Sequence, residues 1–351
     1  MSAPTITVKP TDDLAAAINA AVTGVHFMLL PGAAYQLRGN VTIKPGVSVV
    51  LSGPGVVDLG KRTIASAPTL ACSLPKGPST NFDVYGHLDF SGIDVASACV
   101  LFRTLKGGAL NAVNYRTSDA TFQNAIFDSG CLASAISNAL LGASTTVSIY
   151  VSGSSVLVQN SVIGGSRAET TLRTDQDSGC PMPEDVQFIN CEVETGADDK
   201  GCVEIRMGYG IVLKGMTYTG DNAYVRCGQG SGGTPGQFVR VAITGNQFTT
   251  MRTTINDKGV VSSGPQLTIE NGVDADVEGN TFFTDCLPFP ATPQHADYSV
   301  RQLSVTVSQV SSRAKFAGNI RKLARPGIAY DARLWAPQPN PLVTETGTVV
   351  K

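Results

Sequence analysis

The sequence contains few charged residues, and their charges nearly cancel. Asp, Glu, Lys and Arg together make up 15% of the 351 residues, and the formal net charge is −2. A surface so close to neutral has no overall field that would attract nucleic acid or an anionic membrane. No apolar run approaches the roughly 20 residues of a membrane-spanning helix. We therefore expect no nucleic-acid partner and no membrane span.

Aromatic residues, histidines and paired cysteines are scarce as well. Aromatics make up 7% of the chain, with a single Trp, whereas ligand pockets are usually lined by apolar and aromatic side chains. The three histidines, His26, His87 and His295, are far apart in sequence, and we expect them to be structural. The eight cysteines form no C-x-x-C pair, which argues against a zinc site. They leave two interpretations open, buried thiols or the disulfides of an extracellular protein.

The chain has instead a short phrase that recurs many times. Two apolar residues at alternate positions are followed by one further residue and then by Gly or Asn, as in Val241-Ala242-Ile243-Thr244-Gly245. The Gly and Asn markers are Gly53, Gly92, Asn124, Asn160, Asn190, Gly215, Gly245, Gly279 and Gly318. Their spacing ranges from 25 residues (190 to 215) to 39 residues (53 to 92).

This recurrence is typical of a β-solenoid, in which each coil of short strands buries its inward side chains against the coils above and below. Gly or Asn at a corner adopts the left-handed backbone conformation that turns the chain from one sheet to the next. A meandering β-sandwich would show turn signals about every 8–12 residues, so the long-range recurrence favours the solenoid. We predict an all-β fold of about nine to ten coils.

The two ends of the chain differ from the repeat. Thr11 is placed to cap a short helix whose apolar face is Leu14, Ile18 and Ala21. We expect this helix to cover the open end of the solenoid, where strand edges would otherwise be exposed. After Leu323 a Pro-rich tail begins that cannot join a sheet interior. The predicted division is an N-terminal cap over 1–46, a parallel β-helix over 47–323 and a C-terminal cap or arm over 324–351, with the arm favoured for 338–351.

The entry to the repeat is the most specific stretch. It runs in the order AAAINAA (15–21), LLPGAAYQL (29–37) and VTIKPGVSVVLSGPG (41–55). This order resembles the entry to the right-handed parallel β-helices of the pectate-lyase-like superfamily, which includes polysaccharide lyases, polygalacturonase-like hydrolases and phage tailspikes. The resemblance covers residues 11–60 by motif and 61–320 by architecture. It implies a right-handed parallel β-helix but no single activity, because this fold carries enzymes and inert scaffolds alike.

One strand of each central coil carries polar residues that are predicted to share a face. Strand alternation sends Leu172, Ile205, Val225 and Ile255 inward and their neighbours outward. The outward residues form two predicted rows, Thr171, Glu204, Tyr224 and Thr254 in one and Arg173, Arg206, Arg226 and Asn256 in the other. Stacked coils lie about 4.8 Å apart, so the arginines would form a ladder suited to the carboxylates of an acidic glycan.

Three interpretations of this ladder stay open: a salt-bridge ladder without a ligand, a binding groove for an acidic glycan, and a catalytic site. The candidate substrate-binding residues are Arg173, Arg226, Tyr224, Asn256 and Lys258. The candidate catalytic residues are Arg206, Glu204 and Asp198. The resemblance implies, for a lyase, an Arg or Lys base and neutralisation of the sugar carboxylate, often by calcium.

A calcium site or the active site of a hydrolase would need carboxyl groups at particular spacings. Asp198 and Asp199 with Glu204 match no calcium-loop pattern, so we expect neither a metal nor a cofactor. A hydrolase would use two carboxyl groups about 5–10 Å apart, for which Glu204 with Asp198 or Asp221 is a candidate pair.

Two functions follow from these observations. The first is a structural or attachment protein of a virion or cell exterior, of the phage-spike or capsid-decoration type, that binds surface glycan. The scarcity of aromatics and the lack of a catalytic motif favour it. The alternative is a polysaccharide lyase or glycoside hydrolase for an acidic polysaccharide.

The expected location and partners follow the same two functions. Residues 1–5 (MSAPT) lack the basic and apolar segments of a secretion signal, so we expect an extracellular or virion protein that leaves the cell by another route or after removal of its signal. The expected partners are a surface or acidic polysaccharide, further copies of the chain in a homo-oligomer such as a trimer, and virion proteins held through the C-terminal tail.

Overall fold

The structure is a computed structural model, and its chain divides into two units, residues 1–187 and 188–351. The described residues are 2–53, 67–72, 80–96, 100–105, 107–113, 116–117, 120–125, 134–137, 140–141, 147–165, 170–175, 182–195, 202–219, 224–228, 239–249, 252–255, 261–264, 266–270, 272–284, 305–307, 313–323 and 342–351. Among these residues, no helix is long and apolar enough to cross a membrane.

In the first unit the strands follow one another round three parallel sheets, named A, B and C. The strands of sheet A are β1 (Thr5–Val8), β2 (Val25–Leu29), β5 (Ser48–Ser52), β8 (His87–Ser91), β11 (Ala109–Val113), β14 (Ser134–Ser137) and β17 (Ser154–Gln159). The strands of sheet B are β3 (Ala34–Leu37), β6 (Thr69–Cys72), β9 (Asp94–Val95), β12 (Arg116–Thr117), β15 (Leu140–Leu141) and β18 (Val162–Gly165). The strands of sheet C are β4 (Val41–Ile43), β7 (Thr80–Val84), β10 (Val100–Thr104), β13 (Ala120–Ala125), β16 (Val147–Ser152) and β19 (Thr170–Thr174).

The second unit repeats this arrangement after β20 (Glu184–Ile189), a sheet A strand that spans the boundary. Its sheet A strands are β23 (Gly208–Lys214), β26 (Val239–Thr244), β31 (Val273–Glu278), β34 (Arg313–Ala317) and β36 (Val343–Thr346). Its sheet B strands are β21 (Glu192–Thr195), β24 (Thr217–Thr219), β27 (Gln247–Phe248), β32 (Thr281–Thr284), β35 (Ile320–Leu323) and β37 (Val349–Val350). Its sheet C strands are β22 (Cys202–Ile205), β25 (Tyr224–Cys227), β30 (Leu267–Ile269) and β33 (Val305–Val307). A separate antiparallel hairpin is made by β28 (Arg252–Ile255) and β29 (Val261–Gly264).

The core lies inside the coils because alternate residues of each strand point inward. In sheet B of the second unit, Tyr218, Phe248 and Phe282 occupy the same register position and are fully buried. Their rings stack with centroid distances of 4.5 and 4.7 Å. Each such buried ring stabilises the stack by roughly 1.5–3 kcal/mol relative to an exposed one, so a coil is stable only with its neighbours in place.

The predicted corners are confirmed at seven of the nine markers. Positive φ values of 50–68° occur at Gly92, Asn160, Asn190, Gly215, Gly245, Gly279 and Gly318. The prediction is wrong at two markers, because Gly53 does not have a positive φ and Asn124 lies inside β13 of sheet C. The error at Asn124 arises because strands of all three sheets alternate in the same way, so the phrase alone does not tell which sheet a strand joins.

A buried ladder of asparagines lines one corner of the second unit. Asn246, Asn280 and Asn319 are each 0% exposed. The Oδ1 of Asn280 accepts from Asn246 N at 2.9 Å, and the Oδ1 of Asn319 accepts from Asn280 N at 2.9 Å. The Nδ2 of Asn280 donates to Ile243 O at 2.8 Å. The ladder thus satisfies backbone groups that the turn would otherwise leave buried without partners.

Helix α1 (Leu14–Ala20) forms where the sequence predicts it and packs against β3 and β4. Its N-cap is Asp13, whose carboxylate accepts from Ala16 N, and not Thr11 as predicted. Asp13 is closer to the first buried residue, Leu14, and its carboxylate reaches the free N–H groups of the first turn. The role of α1 as a solenoid cap stays a prediction.

The repeat continues beyond Leu323, which corrects the expected C-terminal arm for the final residues. Strand β36 pairs in parallel with β34, and β37 pairs in parallel with β35. Gly347, with φ of 68°, provides the corner between them. The Pro-rich residues 324–341 lie outside the described residues. Because they separate the strands of this last coil from the preceding copy of the repeat, the sequence pattern did not reveal that coil.

Candidate functional site

The outward face of sheet C in the second unit carries a row of polar residues. Val203, Val225 and Leu267 point inward and are fully buried. The residues that follow them are in register across the coils: Glu204 opposite Arg226, Arg226 opposite Thr268, and Thr268 opposite Thr306. Polar side chains therefore alternate with a continuous apolar core on these strands.

This register corrects the predicted arginine ladder. The prediction placed Arg206 beside Arg226, whereas the structure places Glu204 there, two residues earlier. A shift of two residues keeps every side chain on the same face of a strand. The inward positions of Leu172, Ile205 and Val225 were therefore predicted correctly, as their complete burial confirms, while the cross-strand partners were not.

Two ion pairs lie on this face, one within a coil (Arg206 with Glu204) and one between neighbouring coils (Arg226 with Glu270). Arg206 donates to Glu204 Oε2 from Nε at 3.0 Å and from Nη2 at 2.9 Å. Arg226 donates to Glu270 Oε2 from Nε at 3.2 Å and from Nη2 at 3.0 Å. We name these four residues the arginine–glutamate cluster. The guanidinium side chains are 31% and 33% exposed, and the two glutamates are 10% and 18% exposed.

Gly228 lies between the two ends of the cluster. Gly228 N donates to Ile205 O, and Glu270 N donates to Cys227 O, both at 2.8 Å, so Arg206, Gly228 and Glu270 follow one another on successive coils. A Cβ on Gly228 would collide with the backbone oxygen of Glu270. Gly228 is buried, and the backbone of Glu270 occupies the place where a side chain would stand, so the two coils approach each other closely beside the cluster.

The first unit has its own polar row on sheet C. Thr42, Asp83, Arg103, Gln123, Tyr150 and Arg173 are in register there. Arg103 binds Asp83 in a bidentate pair, with both nitrogen–oxygen distances at 2.6 Å. Arg173, a predicted substrate-binding residue, is half-buried at the end of this row.

The remaining predicted residues have different outcomes. Tyr224 is half-buried at the register position opposite Cys202, at the edge of the cluster. Thr254 does not extend the row, because β28 pairs only with β29 in the antiparallel hairpin; β30 takes that place in sheet C. Asn256, Lys258 and Asp198 lie outside the described residues, as do the other carboxylates proposed for a hydrolase, Asp199 and Asp221.

Sequence reasoning missed Glu270. Glu270 follows the alternation Leu267-Thr268-Ile269, which marks a strand of the same type as β25. That signal was overlooked because Thr254-Ile255-Asn256 offers a similar alternation earlier in the chain. The error shows that hydrogen-bonded pairing with neighbouring strands, and not the alternation of apolar and polar residues, decides which sheet a strand joins.

The cluster has balanced charge, with two guanidinium groups and two carboxylates. Buried carboxylates hold the arginines in fixed orientations, and a planar guanidinium is suited to a carboxylate ligand. Within the described parts of the chain, no group of three or more His, Cys, Asp or Glu is arranged to hold a metal ion. The expectation of no metal and no cofactor stays a prediction.

The two described histidines belong to the first unit, whereas Cys227 directly follows Arg226 of the cluster. His26 is hydrogen-bonded through Nε2 to Ser52 Oγ at 2.6 Å, and His87 through Nδ1 to Ser48 Oγ at 3.0 Å, both in sheet A of the first unit. Cys191 and Cys227 are buried thiols that form no disulfide. For these two cysteines the buried-thiol interpretation is confirmed.

Comparison with known proteins identifies the fold. No protein-family model matches the chain, and no curated protein matches it. The A-module of the mannuronan C-5 epimerase AlgE6 of Azotobacter vinelandii is similar in structure, with a TM-score of 0.53 and 16% identity over 97% of this chain and 96% of that one. An alginate lyase from Paenibacillus sp. str. FPU-7 is similar with a TM-score of 0.51 and 13% identity over 99% of both chains. The chain therefore has the parallel β-helix fold that its repeat and N-terminal motifs predict.

Proposed function

We propose that this protein binds an acidic polysaccharide on the outward face of sheet C and removes a proton from the carbon that carries the carboxyl group of a uronate unit. The observation that carries the proposal is the arginine–glutamate cluster, in which two guanidinium groups, 31% and 33% exposed, lie on one outward face with two carboxylates. The two similar structures are named as an epimerase of mannuronan and a lyase of alginate, and both names support a uronate polymer as the substrate class.

The arginines are placed to bind the carboxylate of the sugar. Arg206 and Arg226 are held by Glu204 and Glu270, so a ligand carboxylate would meet donors that are already oriented. Neutralising that carboxylate stabilises the negative charge that develops when the adjacent proton leaves. Preoriented donors lower the barrier because they need no rearrangement at the moment of reaction.

Glu270 is the proposed proton acceptor. Its side chain is more exposed than that of Glu204, 18% against 10%, and it lies on the coil that follows Arg226. In this step the carbon–hydrogen bond breaks, the proton moves to the carboxylate of Glu270, and the electron pair is delocalised into the sugar carboxyl group. Return of a proton to the opposite face of the sugar would invert the configuration of this carbon. Departure of the neighbouring glycosidic oxygen, which takes up a proton, would instead give an unsaturated chain end.

Deuterium exchange tests both outcomes at once. The protein is incubated in deuterium oxide with polymannuronate or alginate, and deuterium at the uronate carbon is measured by NMR, with ultraviolet absorbance reporting unsaturated ends. We expect exchange with wild type, and loss of at least about 100-fold in rate for Glu270→Gln, because general base catalysis typically contributes about 10²–10⁴-fold. Arg226→Ala is expected to lose both binding and exchange.

The matched control is Arg313→Ala, which removes an exposed arginine with a carboxylate partner on sheet A. Exchange in this variant should equal that of wild type. Equal exchange in Glu270→Gln and wild type would remove Glu270 from the mechanism. Neither exchange nor a rise in absorbance with wild type on any uronate polymer would refute the catalytic function.

Binding without turnover is the second candidate function, and one observation favours it. Both arginines of the cluster already contact carboxylates of the protein, as in a salt-bridge ladder that orders a surface. Binding of polymannuronate with neither deuterium exchange nor a rise in absorbance would support this candidate. A virion or extracellular location, a homo-oligomer and virion partners remain predictions that belong with it.

A further inference from the structure

Strand β23 begins with a bulge that displays an aromatic residue. Gly208 pairs with Val239 and the next pair is Ile211 with Val241, so Tyr209 and Gly210 together lie opposite the single residue Arg240. The φ angles of Gly208 and Gly210 are 135° and 64°. Both values lie in the region that favours glycine, so the backbone on each side of Tyr209 depends on residues without a side chain.

Tyr209 is directed into solvent at this bulge. It is 41% exposed, although a tyrosine ring placed inward at a sheet position, like that of Tyr218, can be buried completely. Single exposed aromatics are common on protein surfaces. Bulges, however, re-aim side chains and are frequent beside binding sites, and glycine in a strand often marks the close approach of a ligand. The bulge therefore suggests a role for the exposed ring.

Arg240 supplies a positive charge beside this ring. It is exposed, and its cross-strand neighbour Asp274 is bound instead by Arg313, with Nε–Oδ1 at 2.9 Å and Nη2–Oδ2 at 2.7 Å. The same contact raises the pKa of Arg313 through the hydrogen bond and charge of Asp274. Among the residues that the structure describes, Arg240 has no ion-pair partner. An aromatic ring and a cation thus lie side by side on adjacent strands.

This pair lies close to the arginine–glutamate cluster along the chain. Tyr209 follows Arg206 by three residues, a span of at most about 10 Å. Met207 and Gly208, which connect them, are buried. A polymer bound at the cluster can therefore reach the bulge within a few sugar units.

We propose that Tyr209 and Arg240 form a second subsite for a uronate polysaccharide, in which the ring of Tyr209 stacks on a sugar face and Arg240 binds the carboxylate of that sugar. This inference rests on the proposed function and extends it to a further unit of the same polymer. The subsite contacts no reacting atom, so it contributes to affinity and to the preferred chain length.

Mannuronate oligomers of increasing length test the subsite by isothermal titration calorimetry. For the longest oligomers we expect Tyr209→Ala and Arg240→Ala each to weaken binding about tenfold, which corresponds to about 1.4 kcal/mol. Dimers, which are too short to reach from the cluster to the bulge, should bind all variants equally. Tyr209→Phe, which keeps the ring, should bind like wild type, and Arg240→Ala should also reduce the salt dependence of binding.

Lys322→Ala is the matched control, because it removes an exposed cation from β35 of a different sheet, sheet B. Its affinity for long oligomers should equal that of wild type. If wild type and Arg226→Ala differ as expected while Tyr209→Ala and Arg240→Ala bind long oligomers like wild type, the subsite is refuted and the proposed function stands. If wild type binds no mannuronate oligomer, both are refuted. Equal weakening of dimers and long oligomers in Tyr209→Ala would also refute the subsite, because it would indicate general damage to the site.

Discussion

Replacing Asn280 by alanine tests whether the buried asparagine ladder holds the coils of the second unit together. The substitution removes the Oδ1 that accepts from Asn246 N and the Nδ2 that donates to Ile243 O. Both backbone groups would be left in a place where Asn280 itself is 0% exposed. A buried polar group without a partner costs about 1–3 kcal/mol, so with two such groups we expect the free energy of unfolding to fall by about 2–6 kcal/mol.

Urea unfolding followed by circular dichroism measures this change. Thr281→Ala is the matched control, since Thr281 is the next residue of the same coil and is only half-buried. We expect its effect to stay within about 0.5 kcal/mol, as for most surface substitutions. If Asn280→Ala were no more destabilising than Thr281→Ala, the idea that the ladder stabilises the corner would be wrong.

Asn280→Asp adds a pH dependence with a definite sign. The carboxylate would face Ile243 O and Asn319 Oδ1, which accept hydrogen bonds from the amide in the native ladder. Burial should raise the folded-state pKa of this new group above its unfolded value of about 3.9. The destabilisation relative to wild type should therefore be largest at neutral pH and shrink as the pH falls through the folded-state pKa. A destabilisation that is independent of pH would contradict this account.

Two further substitutions test other parts of the structure. Tyr35→Phe removes a buried hydroxyl that accepts from Leu30 N and donates to Val8 O, both at 2.8 Å. We expect the free energy of unfolding in urea to fall by about 1–3 kcal/mol. An unchanged free energy of unfolding would show that the hydroxyl is not needed. Gly228→Ala places a Cβ against the backbone oxygen of Glu270 at a residue with φ of 101°. We expect it to lower the thermal unfolding midpoint and to weaken binding of polymannuronate, whereas wild-type behaviour in both assays would show that the close approach of these two coils is not required.

Much of the fold could be predicted because its rules act over short distances in the sequence. Alternation of apolar and polar residues makes one face of a strand point inward, and Leu172, Ile205 and Val225 are buried as that rule predicts. Glycine at a corner is recognisable because few other residues adopt its conformation at low cost, as Gly215 and Gly245 show. The helix at Leu14–Ala20 follows from its apolar face in the same way, although its N-cap is Asp13 and not the predicted Thr11.

The candidate site was predicted in part. The sequence placed Glu204, Arg206 and Arg226 on the outward face of one sheet, and all three lie there. It did not indicate which carboxylate each arginine binds, and it overlooked Glu270, the partner of Arg226. Ion pairs across coils depend on which residues are neighbours in different turns of the helix, and a spacing of 44 residues between partners is not visible in any local pattern.

The sequence by itself determined that this chain forms a parallel β-helix, because the repeated alternation and the glycine corners specify each strand and bend locally. Only the tertiary structure decided the register of neighbouring coils. A two-residue shift leaves every inward residue inward, so the apolar pattern is equally satisfied by Arg226 opposite Arg206 and by Arg226 opposite Glu204. The structure has the second arrangement, which pairs unlike charges on adjacent strands and builds the cluster around Gly228.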